Sequence, residues 1–163
     1  MALICTTVFS ADSSKSRDEI PDWRKWTWEM DKPAVVKALE KKRMLEKGEE
    51  DVADEYPIEF RHKKVRYRMR FSEAGSLVEI QARQAFGYVQ GEAAEECFEE
   101  HKGRFLKQLG DDFGDNDDEE AGIRTLTWET EATQVDLRFD YRRKVIDEMG
   151  GNAFSVRRTY TPL

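Results

Sequence analysis

The run IEFRHKKVRYRMRF, from Ile58 to Phe71, decides the fold class. Ile58 and Phe60, then Val65, Tyr67, Met69 and Phe71, fall on every second position, while Arg66, Arg68 and Arg70 take the positions between. Successive side chains of a strand point to opposite faces, so this period predicts two strands with one apolar face and one charged face. His62, Lys63 and Lys64 are the expected connection. They lack the Gly or Asn that tight hairpin turns favour, which leaves one long strand with a bulge as the alternative.

Working outward, Ser72 to Ser76 reads as a turn, and Val78, Ile80, Ala82, Phe86 and Tyr88 share one face of a third strand. From about Glu92 to Leu109 the period changes. Ala94, Cys97, Phe98, His101, Phe105 and Leu109 recur at three and four residues, the stripe of an amphipathic helix, and Gly110 ends it. Leu126 and Trp128, then Val135, Leu137, Phe139 and Tyr141, predict a hairpin around residues 131–134, and Phe154 to Thr161 supplies a last strand. Upstream, Asp31 followed by Pro33 starts a helix expected to run to about Lys47 and to stop at Gly48. Trp26, Trp28 and Met30 alternate as a short half-buried strand or an extended segment docked on the core. Ala2 to Phe9 reads as a buried strand, and Ser10 to Glu19 as a loop.

These elements predict one α+β domain over residues 1–163: an antiparallel sheet with two helices packed on one face, a two-layer sandwich. A ferredoxin-like core with an added hairpin is one explicit topology. The tripeptide Thr-Trp-Glu at Thr27 and again at Thr127 is read as coincidence rather than duplication.

A chain of 163 residues with 39% hydrophobic and 11% aromatic residues has enough core to fold, and 37% charged residues give it a heavily charged surface. Two cysteines are too few for a disulfide framework, and no apolar run reaches membrane-spanning length, so the cytoplasm is the expected compartment and no membrane partner is expected. The net charge of −7 is unevenly spread. Residues 111–120 carry only acidic charge and are expected as an exposed, mobile loop. Residues 57–71 carry six Arg and Lys against Glu59 alone.

Cys97 and His101 have the spacing of two ligands on one helix turn, and Cys5 with His62 would complete four zinc ligands. Both helical residues lie within the apolar stripe, where Cys and His act as packing groups, so no metal and no cofactor is assigned. The same burial makes Cys97 a poor thiol nucleophile. No Gly-x-Ser-x-Gly elbow and no phosphate-binding glycine loop occurs. Asp115 to Glu119 begins like a calcium loop but lacks its sixth-position glycine and twelfth-position glutamate. Ala85 to Val89 matches part of an aromatic RNA-stacking strand, yet parity turns Phe86 and Tyr88 inward. Trp23, Trp26 and Trp28 are read as pins holding their segment to the core.

Arg66, Arg68 and Arg70 are therefore the candidate binding residues. Three like charges about 7 Å apart along one strand face need counter-charges, and Glu79, Asp136 and Asp140 are the expected internal ones. The leading reading is a non-catalytic module acting through protein–protein contacts. The alternative is a nucleic-acid binder using the arginine face. The third is an enzyme or small-ligand binder with a cleft built from dispersed groups. A flat mixed surface favours the first, a continuous positive stripe the second, and a deep pocket with convergent polar groups the third.

Overall fold

The structure, a computed structural model, describes residues 19–45, 57–141 and 154–163. The expected strand at Ala2 to Phe9, most of the loop after it, the stop at Gly48 and the candidate ligand Cys5 lie outside these residues. Helix α1 spans Lys32–Lys41 and is followed by strands β1 (Ile58–His62), β2 (Val65–Phe71) and β3 (Leu77–Phe86). Helix α2 (Gly91–Leu109) precedes β4 (Gly114–Asp118), β5 (Ile123–Glu129), β6 (Thr133–Asp140) and β7 (Phe154–Pro162). The α+β class expected from the sequence is what forms.

Seven strands make one sheet in the order β1-β2-β3-β7-β6-β5-β4, and every neighbouring pair is antiparallel. Two consecutive meanders, β1–β3 and β4–β6, are thus joined by the last strand. This order has no parallel neighbours, and it differs from the ferredoxin-like topology held out as one expectation. The two Thr-Trp-Glu tripeptides are not equivalent either, since Thr27 lies in a turn before α1 and Thr127 lies within β5.

Alternation sorts the sheet into an apolar inner face and a polar outer one. Ile58, Met69, Ile80, Tyr160, Val135 and Trp128 share one register level across six strands, and all are buried. Helix α2 lies against β3, β6 and β7 on this inner face, burying Ala94, Phe98 and Phe105. Phe98 stacks on Phe139 with ring centroids 5.3 Å apart, and Phe105 meets Trp128 at 5.4 Å. Val35 and Leu39 of α1 join the same core.

Four local readings are corrected and one open alternative is settled. The segment from Trp23 to Met30 forms turns rather than a strand, because the Ile20 and Trp26 backbones bond to each other and Asp22 and Lys25 adopt φ 67°. Its tryptophans do pin it: Trp23 and Trp26 are buried, and Trp28 donates its indole N–H to Thr133 Oγ1 at 2.9 Å. Helix α1 stops at Lys41, not near Lys47. Arg43 turns left-handed at φ 56°, its N–H bonding the Glu40 carbonyl (2.9 Å) and that of Met44 the Leu39 carbonyl (3.0 Å), which closes a Schellman cap. Residues 58–71 form a hairpin whose two-residue loop takes Lys63 to φ 55°, so the long bulged strand is set aside. Tyr88 lies beyond β3 in a turn and is 42% exposed.

The fourth correction concerns the acidic segment. Residues 111–120 are largely exposed, but Gly114–Asp118 pairs with β5 as the edge strand β4. Asp115 accepts two hydrogen bonds from Arg124 (3.1 and 2.6 Å), Tyr141 donates to Asp117 (2.7 Å), and Phe113 packs on Trp128 with centroids 5.0 Å apart. These contacts compensate for strand-poor residues, and the remaining acidic groups discourage pairing with another edge.

Two substitutions check this framework by urea denaturation. Arg43→Gly removes the left-handed penalty at the helix cap and is expected to stabilise by about 0.5–1 kcal/mol. Phe105→Ala is expected to cost about 3–5 kcal/mol through the cavity it opens under β5 and β7. A destabilising Arg43→Gly, or a neutral Phe105→Ala, would contradict the described cap or core.

Candidate functional site

Arg66, Arg68 and Arg70 all project from the outer face of β2, and the structure gives them different surroundings. Arg68 Nε lies 3.2 Å from Glu59 Oε1 on β1, and Arg70 Nη1 lies 3.8 Å from Glu79 Oε2 on β3. Both are exposed pairs of the kind that contribute about 0–1 kcal/mol. The expected counter-charges Asp136 and Asp140 serve other residues. Asp136 accepts from Thr127 Oγ1 (2.7 Å) and Gln134 Nε2 (3.0 Å). Asp140 accepts from Arg138 Nε (2.9 Å) and from Ser155 Oγ (2.6 Å). Burial pushes the Asp140 carboxyl up, but the bonds from Ser155 and Arg138 outweigh it and hold the group below its ordinary value.

Arg66 belongs to a different array. Register places Arg61 opposite Arg66, Arg66 opposite Arg83, Arg83 opposite Arg157, and Arg157 opposite Arg138. Five arginines from five adjacent strands thus form one transverse row on the outer face. At about 4.8 Å per strand the row is about 19 Å long. Like charges directly opposite one another destabilise a sheet by up to about 1 kcal/mol per pair. Arg138 is neutralised by Asp140, whereas Arg61, Arg66, Arg83 and Arg157 make no ion pair with any described residue.

Arg157, the fourth of the five, is only partly exposed. Its Nε is buried without a hydrogen-bond partner among the described residues. Burial first, and the neighbouring Arg138 next, lower its guanidinium from the ordinary value. Carboxylates border the row two residues away along the strands: Glu59 on β1, Asp136 and Asp140 on either side of Arg138. Among the described residues, the outer-face strand positions carry no aromatic side chain.

Arg61, Arg83, Arg138 and Arg157 were missed as site residues. Each sits at polar parity in a predicted strand, so the outward direction was readable. Their alignment was not, because it depends on which strands are neighbours and in what register.

The other candidates resolve differently. Cys97 and His101 face the inner side of the sheet, where Cys97 Sγ lies 3.9 Å from Gln84 Oε1. Burial raises the Cys97 thiol above its ordinary range, which disfavours the thiolate a nucleophile needs. Burial, followed by Arg158 and Arg104, pushes His101 down to about 3, so the imidazole is neutral in a cationic setting. His62 ends β1, remote in the sheet from that pair. No group of three or more metal-binding side chains occurs among the described residues, and no described helix is long and apolar enough to cross a membrane. A concavity of about 800 Å³ lies between the start of α1 and the β2–β3 turn, where Asp31 and Glu73 are matched by Lys32 and Arg70. Comparison with protein-family models, curated proteins and solved structures found no match.

Two measurements check these electrostatics. Arg83→Thr removes the middle charge of the row and is expected to raise the urea midpoint at low salt, by a gain that shrinks as salt screens the repulsion. An unchanged or lower midpoint would contradict repulsion along the row. His101 binds a proton more readily unfolded, near pH 6.5, than folded, near 3, so its contribution to stability is complete above pH 6.5 and falls as pH drops towards 3. His101→Gln is therefore expected to lose less stability than the parent between pH 7 and pH 4.

Proposed function

We propose that this chain is a non-catalytic binding module that recognises an acidic segment of a partner protein along the row Arg61–Arg66–Arg83–Arg157–Arg138. The carrying observation is the row itself: four guanidinium groups in line with no ion pair among the described residues, kept at a cost to the sheet. An anion laid across the strands relieves that repulsion and accepts charge-assisted hydrogen bonds from each fork. A row of about 19 Å matches about six residues of extended chain at about 3.3 Å each.

A continuous positive stripe also suits nucleic acid, but two features favour a protein partner. The stripe is one residue wide and bordered by Glu59, Asp136 and Asp140, and the chain as a whole carries −7, so the field around it is not broadly positive. The outer face also offers no aromatic platform for bases, which single-stranded nucleic-acid sites use for stacking.

Fluorescence anisotropy with three labelled probes separates the outcomes: a ten-residue glutamate-rich peptide, a mixed-sequence single-stranded oligonucleotide and its duplex. At about 150 mM salt the peptide is expected to bind with a micromolar Kd that weakens as salt rises, and the double variant Arg66→Glu, Arg83→Glu is expected to abolish it. Tighter binding of either oligonucleotide, lost in the same variant, would replace this reading with nucleic-acid binding. Failure of all three probes to bind would remove the row as a binding site.

A further inference from the structure

A second cluster lies on the opposite face of the sheet and is unconnected with the row. Asp22, in the turn before α1, places one oxygen within reach of three donors. Tyr160 O–H reaches Asp22 Oδ2 at 2.7 Å, Arg104 Nη2 of α2 at 2.8 Å, and Arg158 Nη1 of β7 at 3.6 Å. These groups, with Trp23, Lys42 and Tyr67, line a cavity of about 220 Å³.

A structural clasp accounts for the first two bonds, which tie the N-terminal turn to α2 and β7. It does not account for the rest. Lys42, Arg104 and Arg158 bring three positive charges to the cavity against the single carboxylate of Asp22. The Arg158 side chain is only 13% exposed and carries five N–H donors, yet its approach to Asp22 is too long for a good hydrogen bond. Desolvating a guanidinium is costly unless anionic acceptors surround it. Lys42 is drawn over the same cavity, its Nζ 5.2 Å from the Trp23 ring centroid and 5.3 Å from that of Trp26. Asp22 holds its backbone at φ 67°, a left-handed conformation unusual outside glycine, and such strain tends to gather at binding sites.

We propose that this cavity binds a phosphate group, as the free ion or as a small monoester, held by Arg104, Arg158 and Lys42. The local excess of two positive charges matches a phosphate dianion. Planar guanidinium forks suit its oxygens, and the second oxygen of Asp22 can accept the proton of a singly protonated phosphate. The cavity is smaller than the roughly 300–1,000 Å³ of drug-sized ligand sites, which limits any ester group to a few atoms or one ring against Trp23 and Tyr67.

Titration calorimetry with inorganic phosphate and with phenyl phosphate, in chloride buffer at constant ionic strength, tests the proposal. One saturable site per chain is expected, with Arg158→Met weakening binding at least tenfold. Lys42 is exposed, so Lys42→Met provides a variant that folds whatever Arg158→Met does, and it is expected to weaken binding several-fold. Tighter binding of phenyl phosphate assigns a monoester, and equal affinity assigns the free ion. The double variant Arg66→Glu, Arg83→Glu, on the other face, is expected to keep this site, so the row and the cavity fail or succeed separately. Absence of saturable binding, or binding that survives both Arg158→Met and Lys42→Met, would overturn the assignment.

Discussion

The pairing of β7 along both of its edges is the constraint on which the rest of the molecule depends. On one side it hydrogen-bonds to β3 from Phe86 to Ile80, and on the other to β6 from Thr133 to Asp140. Without it, two three-stranded meanders would each present an open edge and a half-covered apolar face. Its register matters as much as its presence. A slip of one residue exchanges the two faces of a strand, which would turn Tyr160 out of the core and Arg157 into it. Burial of Tyr160 beside Ile80, Val135 and Phe105 opposes that slip, and it holds Arg157 on the outer surface between Arg83 and Arg138.

Both charged sites follow from the same strand. Arg157 completes the outer row and Arg158, one residue on, reaches Asp22 on the inner side. The two environments differ in kind. Outside, the charges are mostly solvated and their mutual repulsion is moderate and salt-sensitive. Inside, the Arg158 side chain is only 13% exposed, and its positive charge with that of Arg104 adds to the burial that chiefly depresses the imidazole of His101. Overall acidity and local basicity coexist because the acids are gathered on the β4 edge and on the outward side of α2.

Much of the architecture was legible because it rests on short-range periodicity. Alternation over 58–71 and 133–141 marked strands, and the spacing from Ala94 to Phe105 marked α2 almost to its ends. What was not legible depended on contacts distant in sequence. β4 forms from residues of poor strand propensity because Arg124 and Tyr141 neutralise and bind its carboxylates. The end of α1 is set by a left-handed Arg43, where a glycine would have announced it. The arginines were read along one strand, as Arg66, Arg68 and Arg70. Their significant alignment runs across strands, and only the insertion of β7 between β3 and β6 creates it. Asp22 gave no signal at all, since its partners Arg104, Arg158 and Tyr160 lie 82 to 138 residues away.

If the transverse row acts as one anion-binding strip, its guanidinium groups respond to an acidic partner together, and they can be observed one by one. In a proton–nitrogen NMR spectrum tuned to arginine side chains, a glutamate-rich peptide is titrated against assigned Nε–H resonances. Arg61, Arg66, Arg83 and Arg157 are expected to shift together along one saturation curve, while Arg68 and Arg70, already paired with Glu59 and Glu79, move little. Shifts confined to Arg68 and Arg70, or spread evenly over all surface arginines, would contradict it.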